Sequence, residues 1–128
     1  MRDRIAEFLA GKTFAVVGAS IDRQKFGNKV LRCYMDHGYT VYPINPKVAE
    51  VEGLVAYKSL ADLPEAVHGI SIVTPRAVTE KVVNEAASLG ISHIWMQPGA
   101  ESKASIDECT AQGISVIAGG PCLLVELR

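Results

Sequence analysis

The architecture of this chain follows from one run of residues near its N-terminus, which reads Thr13-Phe14-Ala15-Val16-Val17-Gly18-Ala19-Ser20. The first five of these residues are apolar or β-branched without alternation, which is typical of a strand covered on both faces. Beyond the run, apolar residues within 26–37 recur at helical spacing, and Gly38 is placed to end that helix. The sequence therefore predicts a strand, a loop and a helix in succession.

The same alternation extends on both sides of this unit. Upstream, Ile5, Phe8 and Leu9 predict a short helix that Gly11 ends. Downstream, apolar runs predict strands at residues 39–44, 70–73, 91–96 and 114–118. The intervening segment 47–68 is predicted to hold a short edge strand at Leu54-Val55-Ala56 and a helical turn at residues 60–62.

Two further helices separate the later strands. Thr74 is predicted as the N-cap of the first helix and Pro75 as its first helical residue, before an end at Gly90. Its apolar stripe consists of Val78, Val82, Ala86 and Leu89. The second helix is predicted over residues 102–112, with Gly113 as its end.

Strands that alternate with helices through short loops predict a doubly wound α/β fold. We expect a mainly parallel sheet of five to six strands with helices on both faces. Ligands of such sheets bind beyond the carboxyl ends of the strands, where the winding direction reverses. Here that point is predicted between the first strand and the strand that ends at Val73, which selects the loop 18–27 and the loop that begins at Thr74-Pro75.

Composition excludes several classes of protein. The 128 residues, of which 48% are hydrophobic, suit one domain over residues 1–128 with one core. The net charge of −1 argues against general nucleic-acid binding, and no apolar run approaches the roughly 20 residues of a membrane span. Asp3 and Glu7 interrupt the first apolar residues, so we expect no secretory signal.

The three cysteines indicate a cytoplasmic protein. Cys33, Cys109 and Cys122 are odd in number and far apart, which fits neither a disulfide framework nor a zinc site. We therefore expect three reduced, mostly buried thiols and no metal.

Charge is distributed unevenly along the chain. Residues 12–47 contain six cations and two anions, whereas residues 65–128 contain four cations and seven anions. Scattered charges usually form ordinary solvated surface. In this chain the basic segment contains the loop 18–27, so its cations favour an anionic ligand at that loop.

The loop 18–27 has the composition of a phosphate site. Small residues let the backbone approach a phosphate, and the following helix directs its N–H groups and positive dipole end toward it. Ser20 adds a hydroxyl and Lys25 a charge. The spacing G-x-G-x-x-G is absent, so a tight turn that needs glycine for backbone reasons is an equal alternative.

The end of the second predicted strand favours a phosphorylated nucleotide. An NAD site of this fold usually has an acidic residue there to hold the ribose hydroxyls. This chain has Asn45-Pro46-Lys47 instead. A lysine suits the ribose phosphate of either NADP or coenzyme A, and the alternative is a solvated turn residue.

Several motifs, in order, resemble the stand-alone CoA-binding domain family. They read Val17-Gly18-Ala19-Ser20, Lys25-Phe26-Gly27, Gly38-Tyr39-Thr40-Val41-Tyr42-Pro43-Ile44-Asn45-Pro46-Lys47 and Trp95-Met96-Gln97-Pro98-Gly99-Ala100-Glu101-Ser102, followed by the closing segment 122–126. That family is related to the nucleotide-binding domain of the succinyl-CoA ligase alpha subunit and of ADP-forming acyl-CoA synthetases. The resemblance spans roughly residues 14–126 and implies a Rossmann-like fold that binds coenzyme A.

The resemblance also implies where the ligand lies. The pyrophosphate is expected at Gly18-Ala19-Ser20 and at the helix that begins near Phe26-Gly27. Lys25 and Lys47 match positions suited to CoA phosphates, and Asn45 and Pro46 border the adenosine. The path of the ligand is expected along Thr74, Pro75 and Val78, with the pantetheine arm near Gln97, Pro98 and Gly99.

No catalytic residue is predicted. The related ligases use a phosphohistidine on a second domain, for which this chain leaves no room, and no motif surrounds His37, His68 or His93. A mixed disulfide between Cys122 and the ligand's thiol is an alternative to an inert cysteine. We expect a non-catalytic carrier, sensor or regulatory module for CoA or acyl-CoA, either as a homo-oligomer or with an acyl-CoA-metabolising enzyme.

Two alternatives of other classes stay open on the sequence alone. One is a small NADP-binding reductase or its remnant. The other is a protein-interaction module whose CoA site has lapsed, with the apolar residues Leu123, Leu124, Val125 and Leu127 as its contact surface.

Overall fold

A computed structural model describes residues 2–127. Along the chain the elements are α1 (Arg2–Leu9), β1 (Thr13–Val17), α2 (Phe26–Asp36), β2 (Thr40–Ile44), β3 (Glu50–Val51), β4 (Leu54–Val55), a 3₁₀ turn (Leu60–Asp62), β5 (Gly69–Ile72), α3 (Arg76–Ser88), β6 (His93–Met96), α4 (Lys103–Ala111), β7 (Ser115–Ile117) and α5 (Leu123–Glu126).

The main sheet is wound in both directions from its centre. Its strand order is β2-β1-β5-β6-β7, and all four neighbouring pairs are parallel. The chain first moves outward from β1 to β2 and then returns to β5 on the other side of β1. The predicted doubly wound α/β fold is therefore confirmed, with its reversal point between β1 and β5.

Helices cover both faces of this sheet. On one face, α3 and α4 bury side chains such as Val83, Ala86 and Cys109 against the strands. On the other face, α1, α2 and α5 bury Phe8, Leu31 and Leu123. Each fully buried large side chain contributes about 1.5–3 kcal/mol of transfer free energy. The strands are buried on both sides, which explains their continuous apolar runs.

The segment between β2 and β5 differs from the prediction. Residues Leu54–Val55 do not extend the main sheet but pair antiparallel with Glu50–Val51 in a separate hairpin. Tyr57, two residues after β4, forms a parallel bridge with Ile44 at the edge of the main sheet. Two-residue strands are too short to leave a periodic signal, which is why β3 was not predicted.

The start of α3 also differs. Pro75 is the N-cap, with an extended ψ of 150°, and Arg76 is the first helical residue. Thr74 is therefore not the cap; its Oγ1 instead lies 2.7 Å from Oγ1 of Thr79. The buried face is rotated as well, because Val78 and Leu89 are exposed and the helix buries Thr79, Val82, Val83 and Ala86.

The remaining boundaries lie within two residues of the predictions, except at the C-terminal end, where α5 was not predicted. Ser102 caps α4 through a hydrogen bond from the backbone N–H of Ser105. None of the helices in residues 2–127 has the length and apolar character needed to cross a membrane.

Candidate functional site

Two glycines bring the loop after β1 against its neighbours. Gly18 has a φ of +94°, and a Cβ there would lie 2.2 Å from the carbonyl oxygen of Val73, at the end of β5. A Cβ on Gly27 would lie 2.0 Å from the carbonyl oxygen of Gly18. A side chain at either position would therefore clash with the backbone, so both residues must be glycine for packing within the protein. The tight turn offered as the alternative to a phosphate loop is thus present at the residues where the phosphate loop is predicted.

The loop 18–27 is held in shape by its own hydrogen bonds. The N–H of Asp22 donates to Oγ of Ser20 over 3.0 Å, and the N–H of Gln24 donates to Oδ1 of Asp22 over 2.9 Å. The N–H of Lys25 donates to the carbonyl oxygen of Asp22 over 3.0 Å. The Ser20 hydroxyl thus accepts one bond inside the loop and keeps its own proton for another partner.

A buried amide ties this loop to the β3–β4 hairpin. Nδ2 of Asn28 donates to the carbonyl oxygen of Ser20 and to Oε2 of Glu52, both over 2.9 Å. Glu52 also pairs with Arg23 at 3.1 Å. The hydrogen bonds from Arg23 and Asn28 hold the pKa of Glu52 below its usual value. The charge of Arg23, which the sequence places in the basic segment, is therefore neutralised by Glu52.

Asn45 joins the ends of β1 and β2. Its Nδ2 donates to the carbonyl oxygen of Ala19 over 2.9 Å, and its Oδ1 accepts from the N–H of Lys47 over 2.8 Å. The second bond forms the side-chain turn for which asparagine is favoured. This bond fixes the backbone of Lys47 next to Asn45, so that Lys47 lies beside the glycine loop.

These loops surround a cavity of about 580 Å³ at the carboxyl ends of β1, β2 and β5. We call it the switch-point cavity. Ten of the fifteen predicted site residues line it: Gly18, Ala19, Ser20, Lys25, Asn45, Pro46, Lys47, Thr74, Pro75 and Val78.

The other five predicted residues lie outside the lining. Phe26 is 58% exposed, with Nζ of Lys29 5.7 Å from its ring centroid, and Gly27 packs on Gly18. Gln97 is buried, and its Oε1 accepts a hydrogen bond from the N–H of Leu123 over 3.0 Å. The remaining two, Pro98 and Gly99, form an exposed turn after β6, where Gly99 has a φ of +96°.

Two charged residues of the lining were not predicted. Lys58 follows the bridge residue Tyr57, and Glu85 lies on α3. Glu85 shares a helix face with the predicted residue Val78, seven positions earlier, so helical spacing is the signal that identifies it. No sequence signal marks Lys58, because its position depends on how the hairpin packs against β2.

The histidines and cysteines lie elsewhere. His68 precedes β5 and His93 begins β6, so both are at the amino ends of the strands, where their rings stack with centroids 4.4 Å apart. Cys109 is buried, and burial raises its pKa to about 11. Cys33 and Cys122 are free and partly exposed. Among residues 2–127, no histidine or cysteine lines the switch-point cavity.

Several known proteins resemble this chain in sequence or in fold. An ADP-forming acetate–CoA ligase of Methanocaldococcus jannaschii is 35% identical over 80 residues, which are 62% of this chain and 11% of the ligase. A conserved hypothetical protein from Pyrococcus furiosus has the same fold with a TM-score of 0.85 and 37% identity over 90% of this chain and 98% of its own. The apo form of the dinucleotide-forming acetyl-coenzyme A synthetase 1 of Ca. Korarchaeum cryptofilum gives a TM-score of 0.74 and 28% identity over 82% of this chain and 25% of its own.

The lengths of these proteins differ widely. The chain spans 11–19% of the length of the first three curated ligase chains that it matches. The Pyrococcus furiosus protein, in contrast, is covered almost completely. The profile of the CoA binding domain family matches residues 12–128 and so includes every loop of the switch-point cavity. With this match, the chain belongs to the CoA-binding domain family.

Proposed function

We propose that the chain binds coenzyme A or an acyl-CoA in the switch-point cavity and acts as a carrier, sensor or regulatory module without catalysis of its own. The observation that carries this proposal is the convergence of the glycine loop and three lysines, one of them the N-cap residue of α2, in one cavity. Family membership favours coenzyme A over NADP as the ligand.

In this proposal, the pyrophosphate of the ligand binds at the loop 18–20 and the start of α2. The N-cap residue of α2, Lys25, makes no side-chain capping bond, while its carbonyl oxygen accepts from the N–H groups of Asn28 and Lys29. Within residues 2–127, the N–H groups of Phe26 and Gly27 therefore have no side-chain cap. The helix dipole and the charge of Lys25 both favour an anion there. The Ser20 hydroxyl supplies a further donor.

In this proposal, Lys47 and Lys58 bind the phosphate of the ribose. Both line the cavity, and neither forms an ion pair with a carboxylate in residues 2–127. Each retains three ammonium donors for a ligand. Coenzyme A carries a 3′-phosphate that its dephosphorylated precursor lacks. Because both lysines attract this phosphate, coenzyme A should bind more tightly than dephospho-CoA.

The pantetheine arm is placed along the turn that contains Gln97, Pro98 and Gly99. Nε2 of Gln97 and Oε2 of Glu101 are buried without a hydrogen-bond partner in the described part of the chain. Unpaired buried polar atoms are costly, so each favours a ligand that satisfies it. The amides of pantetheine offer both a carbonyl acceptor and an N–H donor.

The absence of catalysis is proposed from the lining of the cavity. Its titratable side chains are lysines and one glutamate, and the stacked pair His68 and His93 lies at the opposite end of the sheet. We therefore expect neither hydrolysis of acetyl-CoA nor formation of acetyl-CoA from acetate, ATP and CoA by this chain. Turnover of either reaction above a buffer control would contradict this part of the proposal.

Thermal unfolding tests the binding proposal. CoA at 100 times its Kd is expected to add about 2.7 kcal/mol to the free energy of unfolding. For a chain of this size that free energy raises Tm by roughly 10 °C. Dephospho-CoA, NADP and NAD at the same concentration should raise Tm less. The proposal fails if CoA and acetyl-CoA leave Tm unchanged, or if NADP raises it more than CoA does.

A further inference from the structure

The two ends of the switch-point cavity differ in chemistry. The glycine loop and Lys25 lie at one end, while α3 contributes Val78, Val82 and Glu85 from a single helix face. Because an α-helix rises 1.5 Å per residue, Glu85 lies about 10 Å along α3 from Val78. A carboxylate repels phosphate, so the end that contains Glu85 suits an uncharged part of the ligand.

The carboxylate of Glu85 is fixed on one side and open on the other. Its Oε1 accepts a hydrogen bond from the N–H of Leu60 over 3.1 Å, which links α3 to the 3₁₀ turn. Its Oε2 has neither a hydrogen-bond partner nor a cation within 4.0 Å among residues 2–127. The cavity therefore presents an oriented acceptor beside two valines.

We propose that Glu85 recognises the adenine base of coenzyme A by accepting a hydrogen bond from its exocyclic N6 amino group. This inference rests on the proposed function and adds a specificity-determining residue to it. Adenine is flat and uncharged, so its face packs on Val78 and Val82 while its edge provides the N6 donor. A base with a carbonyl at that position would set two acceptors against each other, so Glu85 selects adenine.

The experiment compares two ligands and three proteins. The ligands are CoA and 1,N6-etheno-CoA, in which a two-carbon bridge removes the N6 amino donor. The proteins are the full wild-type chain, Glu85→Gln and the matched control Glu80→Gln, which changes an exposed glutamate of α3 outside the cavity lining. Glutamine at position 85 retains an oxygen for the N–H of Leu60. Kd is measured by calorimetry, and thermal unfolding without ligand confirms folding.

Wild type and Glu80→Gln should bind CoA at least about tenfold more tightly than etheno-CoA, since a hydrogen bond to a charged group is lost. In Glu85→Gln this preference should shrink to less than about threefold through weaker CoA binding. An unchanged ratio in Glu85→Gln overturns the inference, because the bulk of the bridge then explains the preference. Equal binding of both ligands by wild type overturns it even if Glu85→Gln fails to fold. Binding of neither ligand by wild type overturns the proposed function itself.

Discussion

At the scale of single residues, Gly18 combines two constraints that other glycines of the chain show separately. It has a positive φ and a backbone oxygen within 2.2 Å of its absent Cβ, whereas Gly90 has a φ of +76° with nothing near it. The loop after β1 therefore requires glycine at position 18 both for its conformation and for its contact with β5.

We predict that Gly18→Ala destabilises the fold more than Gly90→Ala. The left-handed conformation alone costs about 1–2 kcal/mol in either variant. Forcing the methyl group against Val73 adds about 1–3 kcal/mol in Gly18→Ala. Urea unfolding of both variants measures the difference. Equal losses of unfolding free energy in the two variants would mean that the loop moves away from β5 at no energetic cost. That result would contradict the close packing of Gly18 against Val73.

Lys47 gives a second prediction at this scale. Lys47→Ala should weaken CoA binding by about three- to tenfold, since an exposed cation loses part of its effect to solvent and salt. Binding of dephospho-CoA should change less, because it lacks the phosphate that we propose as the partner of Lys47. Lys12→Ala is the control, since Lys12 is exposed at the amino end of β1. A uniform loss for both ligands would place Lys47 at another phosphate.

At the scale of elements, the hairpin of β3 and β4 supports the glycine loop through Asn28 and Glu52. Asn28 is fully buried, and its side chain contacts both segments. The start of α2 is therefore tied to a hairpin of which only the second strand, β4, was predicted.

Asn28→Ala should lower the free energy of unfolding by about 1–3 kcal/mol, because the carbonyl oxygen of Ser20 loses its side-chain donor and Nε of Arg32 loses its acceptor. Amide hydrogen exchange should accelerate in residues 19–25, which lose their link to the hairpin. Asp107→Asn is the control, since it removes an exposed i,i+4 ion pair with Lys103 and should change stability by less than about 0.5 kcal/mol. Unchanged exchange in residues 19–25 would show that the loop holds its shape without Asn28.

Most elements and most of the candidate site were predictable because their signals are local. The run 13–17 followed by Gly18 predicts β1 and its turn, and Asn45-Pro46 predicts the end of β2. Lys58, β3 and the pairing of β3 with β4 were not predictable, because their positions depend on tertiary packing. Gln97 was predicted to contact the pantetheine arm, but its Oε1 accepts a hydrogen bond from the N–H of Leu123 in α5. The sequence pattern did not predict α5 and so gave no sign of this bond.

At the scale of the whole molecule, the pH dependence of stability should depend on His93. Its pKa is lowered, first by burial and then by the neighbouring His68, with which it stacks. Near His93's ordinary pKa of about 6.5, the unfolded chain then binds more protons than the folded chain. Stability should therefore fall as the pH decreases from about 7 through 6.5 toward the lowered pKa.

His93→Gln should flatten the stability profile between about pH 7 and pH 5.5, because the proton uptake linked to unfolding is removed. His37→Gln, at an exposed position, should leave the profile as in wild type. Urea unfolding at several pH values measures both. A wild-type profile that is already flat in this window would contradict a lowered pKa for His93.

We propose that coenzyme A occupies the cavity at the carboxyl ends of β1, β2 and β5. Two-dimensional ¹H–¹⁵N spectra of the full chain, recorded during a titration with CoA, report residue by residue where the ligand binds. We predict that the largest amide shifts occur at Gly18, Ser20 and Lys47. No shifts at millimolar CoA, or the largest shifts in the cleft at the outer edge of β2, around Tyr39 and Leu54, would contradict it.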